Sequence, residues 1–169
     1  NQAVLMHGRT INRTSCGRGK LKQYTFEELQ SFDAGSWFSE EFKDERISAL
    51  KDVIELVNAQ KTLLIEIKSG SPGIEDIVAE LIIEYKAETW CVVQSFDDRI
   101  LRYMNERYPQ IRLQKLYFYK PLFIPILVDF RVRFYAAKRY RFVEAFNPYY
   151  QLTWRRCVTR FQNKGFQVH

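Results

Sequence analysis

The sequence predicts an α/β fold built on a parallel sheet, in the form of a (β/α)8 barrel. Short apolar runs of strand length alternate with amphipathic stretches at helical spacing, which implies right-handed crossovers between parallel strands. No glycine-rich dinucleotide fingerprint follows any predicted strand, and this favours a barrel over a nucleotide-binding doubly wound sheet. Six strands are predicted where a closed barrel has eight, so we expect residues 1–169 to form one TIM-barrel domain without its first and last strands.

The first part of the chain predicts one strand and two helices. Val4 to His7 is a short apolar strand, and a loop rich in Arg, Thr, Ser and Gly follows it. Thr25 and Glu28 have the spacing of a capping box, which opens a short helix that continues to about Phe32. A second helix begins near Ser48, where the serine can cap it, and its apolar residues share one face: Leu50, Val53, Ile54 and Val57.

The rest of the chain predicts the remaining five strands and the helices between them. The strands are Leu63 to Lys68, Cys91 to Phe96, Arg112 to Tyr117, Phe142 to Phe146 and Phe166 to His169. One helix runs from about Ile74 to Tyr85 and a second carries Ile100, Leu101, Met104 and Tyr108 on its apolar face. A third helix runs from about Tyr149 to Lys164, and Gly165 closes it as a left-handed cap.

The most informative motif is the acid and amine at the end of the Leu63 strand. Strand alternation puts Leu64, Glu66 and Lys68 on one face, with Glu66 and Lys68 separated by roughly 6.6 Å along the strand. The strand then meets a cluster of Ser, Gly and Pro, so the pair lies at its carboxyl end, where parallel α/β folds carry their chemistry. One group can hold a cation and the other can meet an anion; the alternative is a solvated ion pair on an edge strand.

Charge and cysteine content limit the classes of partner. The net charge of +6 suits a substrate that carries phosphate. With neither zinc spacing nor an RNA-binding aromatic signature, we predict no nucleic-acid partner. Cys16, Cys91 and Cys157 are odd in number and far apart, which predicts buried inert thiols.

The first residues of the chain bear on targeting. The first residues contain no charged region followed by a long apolar run, so no signal peptide is predicted, and the absence of an initial Met suggests a fragment. Neither the compartment nor the oligomeric state is predicted.

The opening motifs resemble the glycerophosphodiester phosphodiesterase family. Residues 5–20 (LMHGRTINRTSCGRGK) are similar to the family's strand-end histidine, Arg-Thr-Thr turn and glycine-rich bend. The resemblance continues through YTFEEL and FDAGSWF, then IEIK, VQSF and FNP, and finally GFQVH at the end. It covers essentially the whole chain.

The resemblance implies a TIM barrel of the phosphodiesterase type that hydrolyses glycerophosphodiesters to glycerol 3-phosphate and an alcohol. It implies that His7 is a catalytic acid/base, that Glu66 is a ligand of a divalent cation (Mg²⁺ or Ca²⁺), and that Lys68 lies beside the phosphate. Phe96 could line the pocket, although an aromatic residue at a strand end is more often part of the core. A phosphodiester is a small-molecule anion, so a cation and a lysine would stabilise the charge that grows on its oxygens.

Departures from the family pattern leave two alternatives open. His7 resembles the second of the family's two histidines. The other histidine, in a His-Arg-Gly near the family's first strand, has no counterpart here, nor do two earlier carboxylate ligands and a late Trp-Thr-Val segment, so we expect at most a partial metal site. Gly8 replaces the aspartate that usually follows the histidine, which keeps a non-catalytic phosphate- or membrane-binding relative open. A lysophospholipase D-like enzyme is the other alternative.

An apolar stretch followed by basic residues occupies 121–141. It is too short and too broken by Pro121, Pro125 and Asp129 to span a bilayer. One interpretation is a βα loop and helix that pack on the barrel; the other is an apolar lip with basic flanks that makes peripheral contact with a membrane.

Overall fold

The computed structural model of the chain describes residues 2–68, 72–117, 140–148 and 155–168. It divides into two compact units, Asn1–Asn58 and Ala59–His169. The expectation of a single domain over residues 1–169 stays a prediction. The apolar and basic stretch 121–141 lies outside the described residues except for its last two positions, as does the predicted helical start at Tyr149.

The first unit consists of two α-helices joined by turns. Helix α1 spans Phe26–Gln30 and helix α2 spans Leu50–Val57, with single 3-10 turns at Leu21–Gln23 and Glu40–Phe42. The predicted capping box forms: the Thr25 hydroxyl accepts a hydrogen bond from the Glu28 N–H at 3.2 Å, and the Glu28 carboxylate accepts one from the Thr25 N–H at 2.7 Å. Ile11, Leu29 and Ile47 form the buried core of this unit.

The predicted strand from Val4 to His7 is wrong. Val4 makes a single antiparallel bridge with Ala49, and the Leu5 N–H donates to the Ser48 carbonyl at 3.0 Å. These contacts pair the segment with residues 48–50, at the start of α2, and it belongs to no parallel ladder among the described residues. His7 lies in a bend. Ser48 was predicted as the N-cap of α2. Ala49 occupies the N-cap instead and makes no side-chain hydrogen bond, so the helix begins one residue later.

The second unit is a parallel sheet with helices in the connections. Its described strands are β1 (Leu63–Glu66), β2 (Cys91–Ser95), β3 (Arg112–Tyr117), β4 (Ala145–Pro148) and β5 (Gln167–Val168). Its described helices are α3 (Ile74–Glu84), α4 (Asp98–Arg107) and α5 (Arg155–Gln162). Gly165 has a φ of 84° after α5, as the predicted left-handed cap requires.

The order of the strands distinguishes a barrel from a doubly wound sheet. The five described strands lie side by side in chain order, and each pairs in parallel with the next. A doubly wound sheet reverses direction at a switch point, whereas a barrel adds every strand on the same side. The order is therefore that of a run of consecutive barrel strands, five where six were predicted.

Alternation gives the sheet two different faces. Ile65, Val93 and Leu113 are each at most 6% exposed, and α4 contacts both β2 and β3. The apolar residues of the helices are buried in the same way, among them Val78, Ile82, Leu101 and Met104. Leu64 lies on the other face of β1, which also carries Glu66, and is 51% exposed, whereas its register partner Val92 is fully buried; this face is therefore open at β1 and covered at β2.

Two further predictions need correction. The strand predicted from Phe142 to Phe146 begins three residues later and ends two residues later, at β4, because the pairing with β3 starts only at Ala145. Tyr140 and Phe142 come before this pairing and contact each other, with ring centroids 6.1 Å apart. Cys16 is exposed, whereas Cys91 is buried, and burial raises the pKa of the Cys91 thiol to about 11. In the part of the chain that the structure describes, no helix has the length and apolar character needed to cross a membrane.

Candidate active site

Glu66 and Lys68 form an ion pair at the carboxyl end of β1. The Lys68 Nζ lies 2.7 Å from the Glu66 Oε1, and the side chains of Glu66 and Lys68 are 28% and 38% exposed. Solvent screens a pair this accessible, so its own contribution to stability is at most about 1 kcal/mol. The pair therefore leaves both charged groups within reach of a ligand.

Three amide side chains lie beside this pair on the neighbouring strands. Gln94 is the register partner of Glu66, and Gln114 is the register partner of Gln94. The Asn147 Nδ2 donates to the Gln114 Oε1 at 2.7 Å and to the Gln94 Oε1 at 3.1 Å. The Asn147 Oδ1 is buried and has no hydrogen-bond partner among the described residues. The carboxyl ends of β1 to β4 thus form a polar row of one carboxylate and three neutral amides.

The buried Ser95 fixes the backbone of the ion pair from the other face of the sheet. Its hydroxyl donates to the Ile67 carbonyl at 2.8 Å and accepts from the Asp97 N–H at 3.0 Å. Ile67 lies between Glu66 and Lys68, and its own N–H donates to the Gln94 carbonyl at 2.9 Å. Both backbone polar groups of Ile67 are therefore held, so the two charged side chains leave from a rigid segment.

A buried lysine fixes the next loop. The Lys115 Nζ lies 2.9 Å from the Asp98 Oδ1 and donates to the Phe96 carbonyl at 2.6 Å, although the lysine is only 4% exposed. The Tyr140 hydroxyl donates to the other carboxylate oxygen of Asp98, and the Lys115 ammonium lies 5.9 Å from the centre of the Tyr140 ring. Phe96 itself is 48% exposed directly after β2, so its backbone is held while its ring stays accessible.

Asp97 makes the turn into α4. As the N-cap it accepts a hydrogen bond from the Arg99 N–H at 2.9 Å, and the Arg99 guanidinium donates to both of its oxygens. These bonds from Arg99 lower the pKa of Asp97 to about 2. The carboxylate is thus committed to the helix terminus and is not a candidate acid or base at neutral pH.

The predicted acid/base residue, His7, belongs to the first unit, whereas Glu66, Lys68 and Phe96 belong to the second. His7 is exposed. An added Cβ at Gly8, the next residue, would come no closer than 3.5 Å to its nearest neighbour, the Thr10 carbonyl oxygen. The fold therefore does not require glycine where the family usually has aspartate.

The described residues supply only part of a metal site. Within these ranges no group of three or more His, Cys, Asp or Glu side chains is arranged to hold a metal ion. Mg²⁺ and Ca²⁺ take six or more oxygen ligands. Glu66 offers one carboxylate and shares one of its oxygens with Lys68. These residues fit one ligand of such an ion and do not hold it by themselves.

Sequence reasoning identified the charged pair and missed the groups around it. The sequence does contain a signal for these groups, because polar residues occur inside apolar strands. Gln94 follows two valines, and Gln114 and Lys115 interrupt β3. Their partners lie on other strands, up to 53 residues away, so the contacts become visible only once the register is known.

The fold and the position of this site are those of a TIM-barrel protein, with charged and polar groups at the carboxyl ends of its strands. Solved structures confirm the fold. A glycerophosphodiester phosphodiesterase from Agrobacterium tumefaciens aligns with 99% of this chain and 69% of its own, at 17% identity and a TM-score of 0.75. A phosphodiesterase from Oleispira antarctica, in complex with the product sn-glycerol-3-phosphate, aligns with 98% of this chain and 65% of its own, at 22% identity and a TM-score of 0.76.

The sequence comparisons then give the family. The sequence profile of the glycerophosphoryl diester phosphodiesterase family matches residues 1–169. The glycerophosphodiester phosphodiesterase of Caldanaerobacter subterraneus is 39% identical over 118 residues, which are 68% of this chain and 49% of that protein. The glycerophosphodiester phosphodiesterase of Bacillus altitudinis is 34% identical over 118 residues, which are 67% of this chain and 48% of that protein. The chain belongs to this family, and it spans about half the length of these curated relatives.

Proposed function

We propose that the protein hydrolyses glycerophosphodiesters to glycerol 3-phosphate and an alcohol. The observation that carries the proposal is the accessible Glu66–Lys68 pair at the carboxyl end of β1, in a chain that belongs to this family. The named product in the Oleispira antarctica structure supports the same chemistry for a relative with the same fold. The substrate is a small-molecule phosphodiester.

Each residue that the sequence predicts as functional has a distinct role in the proposal. Water attacks phosphorus and forms the new P–O bond, while the P–O bond to the alcohol breaks and the alcohol oxygen gains a proton. His7 delivers or accepts a proton in this step, the role that histidine most often takes in general acid–base catalysis. The Lys68 ammonium offsets the negative charge on the phosphoryl oxygens. Phe96, held at its carbonyl by Lys115, packs its exposed ring against the substrate.

A divalent cation, Mg²⁺ or Ca²⁺, completes the proposal. Glu66 would be one of its ligands, and within the described ranges no group of three or more His, Cys, Asp or Glu side chains completes the set. Such an ion supplies Lewis-acid polarisation of the phosphoryl oxygens. The Lys68 ammonium, which pairs with the Glu66 carboxylate, would contact the phosphate if a cation took its place at that carboxylate.

The test is the release of glycerol 3-phosphate from glycerophosphocholine by the full-length protein, with and without EDTA. Glu66→Gln and Lys68→Met should each lower kcat/KM by about 10²-fold or more, the loss typical of removing one group that stabilises developing charge. Glu40 and Lys43 form another exposed ion pair, with nitrogen and oxygen 3.3 Å apart, and Glu40→Gln is the matched control.

Three results would reject parts of the proposal separately. Full activity in EDTA rejects the cation. Full activity of Glu66→Gln rejects the role of that carboxylate as a ligand. No release of glycerol 3-phosphate by the unmodified protein with Mg²⁺ or Ca²⁺ rejects the hydrolytic function.

A further inference from the structure

The polar row continues beyond Gln114 to an ion pair that the proposed chemistry does not use. The Gln114 Nε2 donates to the Glu144 Oε1 at 2.8 Å. The Arg112 guanidinium donates to both oxygens of the same carboxylate, at 2.8 Å from Nε and 3.2 Å from Nη2. With the bonds of Asn147, this gives one continuous chain of hydrogen-bonded side chains: Arg112, Glu144, Gln114, Asn147 and Gln94.

The carboxylate of Glu144 fixes the direction of this chain. A carboxylate only accepts hydrogen bonds, so Gln114 turns its NH2 group to Glu144 and its oxygen to Asn147. That oxygen requires the NH2 group of Asn147, whose two N–H bonds go to the oxygens of Gln114 and Gln94, at 2.7 and 3.1 Å. Gln94 therefore meets Asn147 with its oxygen, and its own NH2 group is the end directed elsewhere.

The opposite direction is unfavourable at the charged end of the chain. An amide side chain has a donor at one end and an acceptor at the other, so neutral amides alone permit either direction. Reversal would place the Gln114 oxygen against the Glu144 carboxylate, two acceptors without a proton between them. Because Gln114 is only 4% exposed, water does not relieve this repulsion. One residue, Glu144, therefore sets the direction of all three amides.

Stability alone does not account for three amides in this place. The Asn147 Oδ1 is buried and has no hydrogen-bond partner in the part of the protein that the structure describes, and such an acceptor is destabilising. Apolar side chains at all three amide positions would avoid that cost, since exchanging both partners of a buried hydrogen bond for apolar groups is close to neutral. What an apolar row would lack is a directed donor next to Glu66.

Gln94 lies beside the charged pair of the site. It is the register partner of Glu66, so the two side chains leave the same face of adjacent strands, about 4.8 Å apart at the backbone. Lys68 contacts Glu66 at Oε1, 2.7 Å away. Gln94 is half-buried, and among the described residues its NH2 group has no hydrogen-bond partner. The chain therefore presents one neutral donor next to an accessible carboxylate and an accessible ammonium.

We propose that Gln94 donates this N–H to a phosphoryl oxygen of the bound substrate, and that Glu144 is a positioning residue that keeps Gln94 a donor. The identity of this ligand rests on the proposed function, since a phosphodiester substrate is what brings such an oxygen to the site. Lys68 and Gln94 then have different roles: the ammonium is a point charge on a flexible stem, whereas the held amide fixes the place of one oxygen. A reversed amide would turn its own oxygen to the anion and repel it.

The first experiment follows the Gln94 side chain without catalysis. The full-length protein is labelled with ¹⁵N-glutamine, and the NH2 signal of Gln94 is identified by its loss in Gln94→Leu. With Mg²⁺ present, sn-glycerol 3-phosphate is titrated in, and glycerol serves as the probe without a phosphate. We expect glycerol 3-phosphate to shift the Gln94 signal and glycerol to leave it in place. If the Gln94 signal does not move, or if the signal of Gln114 moves as far, Gln94 does not contact the phosphate.

Two substitutions at the ion pair separate the direction of the chain from its stability. Arg112→Met and Glu144→Gln both remove the ion pair, but Arg112→Met keeps the carboxylate that orients Gln114. Glu144→Gln offers both a donor and an acceptor, so both directions become possible. We expect Glu144→Gln to weaken binding of glycerol 3-phosphate about fivefold, the size of one net hydrogen bond, and Arg112→Met to leave it within about twofold. Equal weakening by the two variants would overturn the positioning role of Glu144.

The last experiment measures hydrolysis of glycerophosphocholine. Gln94→Leu should raise KM about fivefold and leave kcat within about twofold, because the contact already exists in the ground state, whereas partial unfolding would lower kcat alone. An unchanged KM in Gln94→Leu would overturn the contact while hydrolysis itself stands. If the unmodified protein releases no glycerol 3-phosphate but its Gln94 signal still responds to that compound, the hydrolytic function fails and the phosphate contact stands.

Discussion

The Ser95 hydroxyl donates a hydrogen bond of 2.8 Å to the carbonyl of Ile67, the residue between the two charged groups of the site. Ser95 is 1% exposed and is the register partner of Lys115, which holds the Phe96 carbonyl. One row of side chains on the covered face of the sheet thus fixes the strand ends that present Glu66, Lys68 and Phe96 on the open side. Preorganisation of this kind is what keeps charged groups in position for a reacting anion.

Ser95→Ala is expected to destabilise the protein. The change leaves the Ile67 carbonyl and the Asp97 N–H without the hydroxyl that joins them, and a buried unsatisfied group costs about 1–3 kcal/mol. Chemical denaturation of the full-length protein measures the difference. Ser39→Ala removes an exposed hydroxyl that accepts from the Glu41 N–H at 3.3 Å, and it should change stability by about 0.5 kcal/mol or less. Equal effects of the two substitutions would contradict the role of Ser95.

Lys115→Met is expected to be destabilising through Asp98. Removing one partner of a buried pair costs about 3–5 kcal/mol, and we expect about half of this because the Asp98 side chain is 32% exposed. The double variant Lys115→Met, Asp98→Asn removes both charges and should recover part of the loss. The double-mutant cycle gives the coupling directly, and additive effects would show that the pair contributes nothing.

Acid is expected to weaken the turn into α4. The Asp97 pKa is depressed, to about 2, so its stabilising contribution is fully present above the pKa of the unfolded chain, about 3.9, and is lost as the pH falls toward 2. Asn also serves as an N-cap but does not titrate. Thermal unfolding between pH 5 and pH 2 should therefore show a smaller decrease in Tm for Asp97→Asn than for the unmodified protein. If Tm falls equally with pH in Asp97→Asn and in the unmodified protein, carboxyl groups other than Asp97 cause the acid sensitivity.

The fold was predictable because alternating strands and helices constrain topology. The chain order of the sheet follows from short right-handed crossovers, and the Glu66–Lys68 contact follows from strand alternation alone. The strand at Val4 was wrong because an apolar run of four residues does not specify its pairing partner. Its hydrogen bonds go to residues 48–50, which no periodicity in the run itself encodes.

The groups around the site were not predictable for a related reason. A lysine in a strand is normally exposed, and Lys115 is buried only because Asp98 and Tyr140, 17 and 25 residues away in the sequence, supply its partners. The three amides depend on the register of β2, β3 and β4 in the same way. Local patterns specify which face a side chain takes, and pairing between distant strands specifies what it meets there.

Gly8→Asp is expected to raise the activity of the full-length protein without loss of stability. An aspartate there restores the carboxylate that the family usually carries beside the histidine, and such a carboxylate can orient the imidazole of His7 for proton transfer. The site has room, since an added Cβ would lie 3.5 Å from the nearest atom, and Gly8 has no φ in the left-handed region. The measurement is kcat for glycerophosphocholine, with Tm determined in parallel.

Gly35→Ala is the steric contrast for that experiment. Its new Cβ would meet the Phe42 carbonyl oxygen at 1.8 Å, a contact that backbone atoms cannot relieve by rotating a side chain. We expect Gly35→Ala to lower Tm clearly while Gly8→Asp leaves it within the error of the measurement. If Gly8→Asp folds normally and kcat falls or stays constant, a carboxylate at position 8 does not improve proton transfer by His7, and the prediction is wrong.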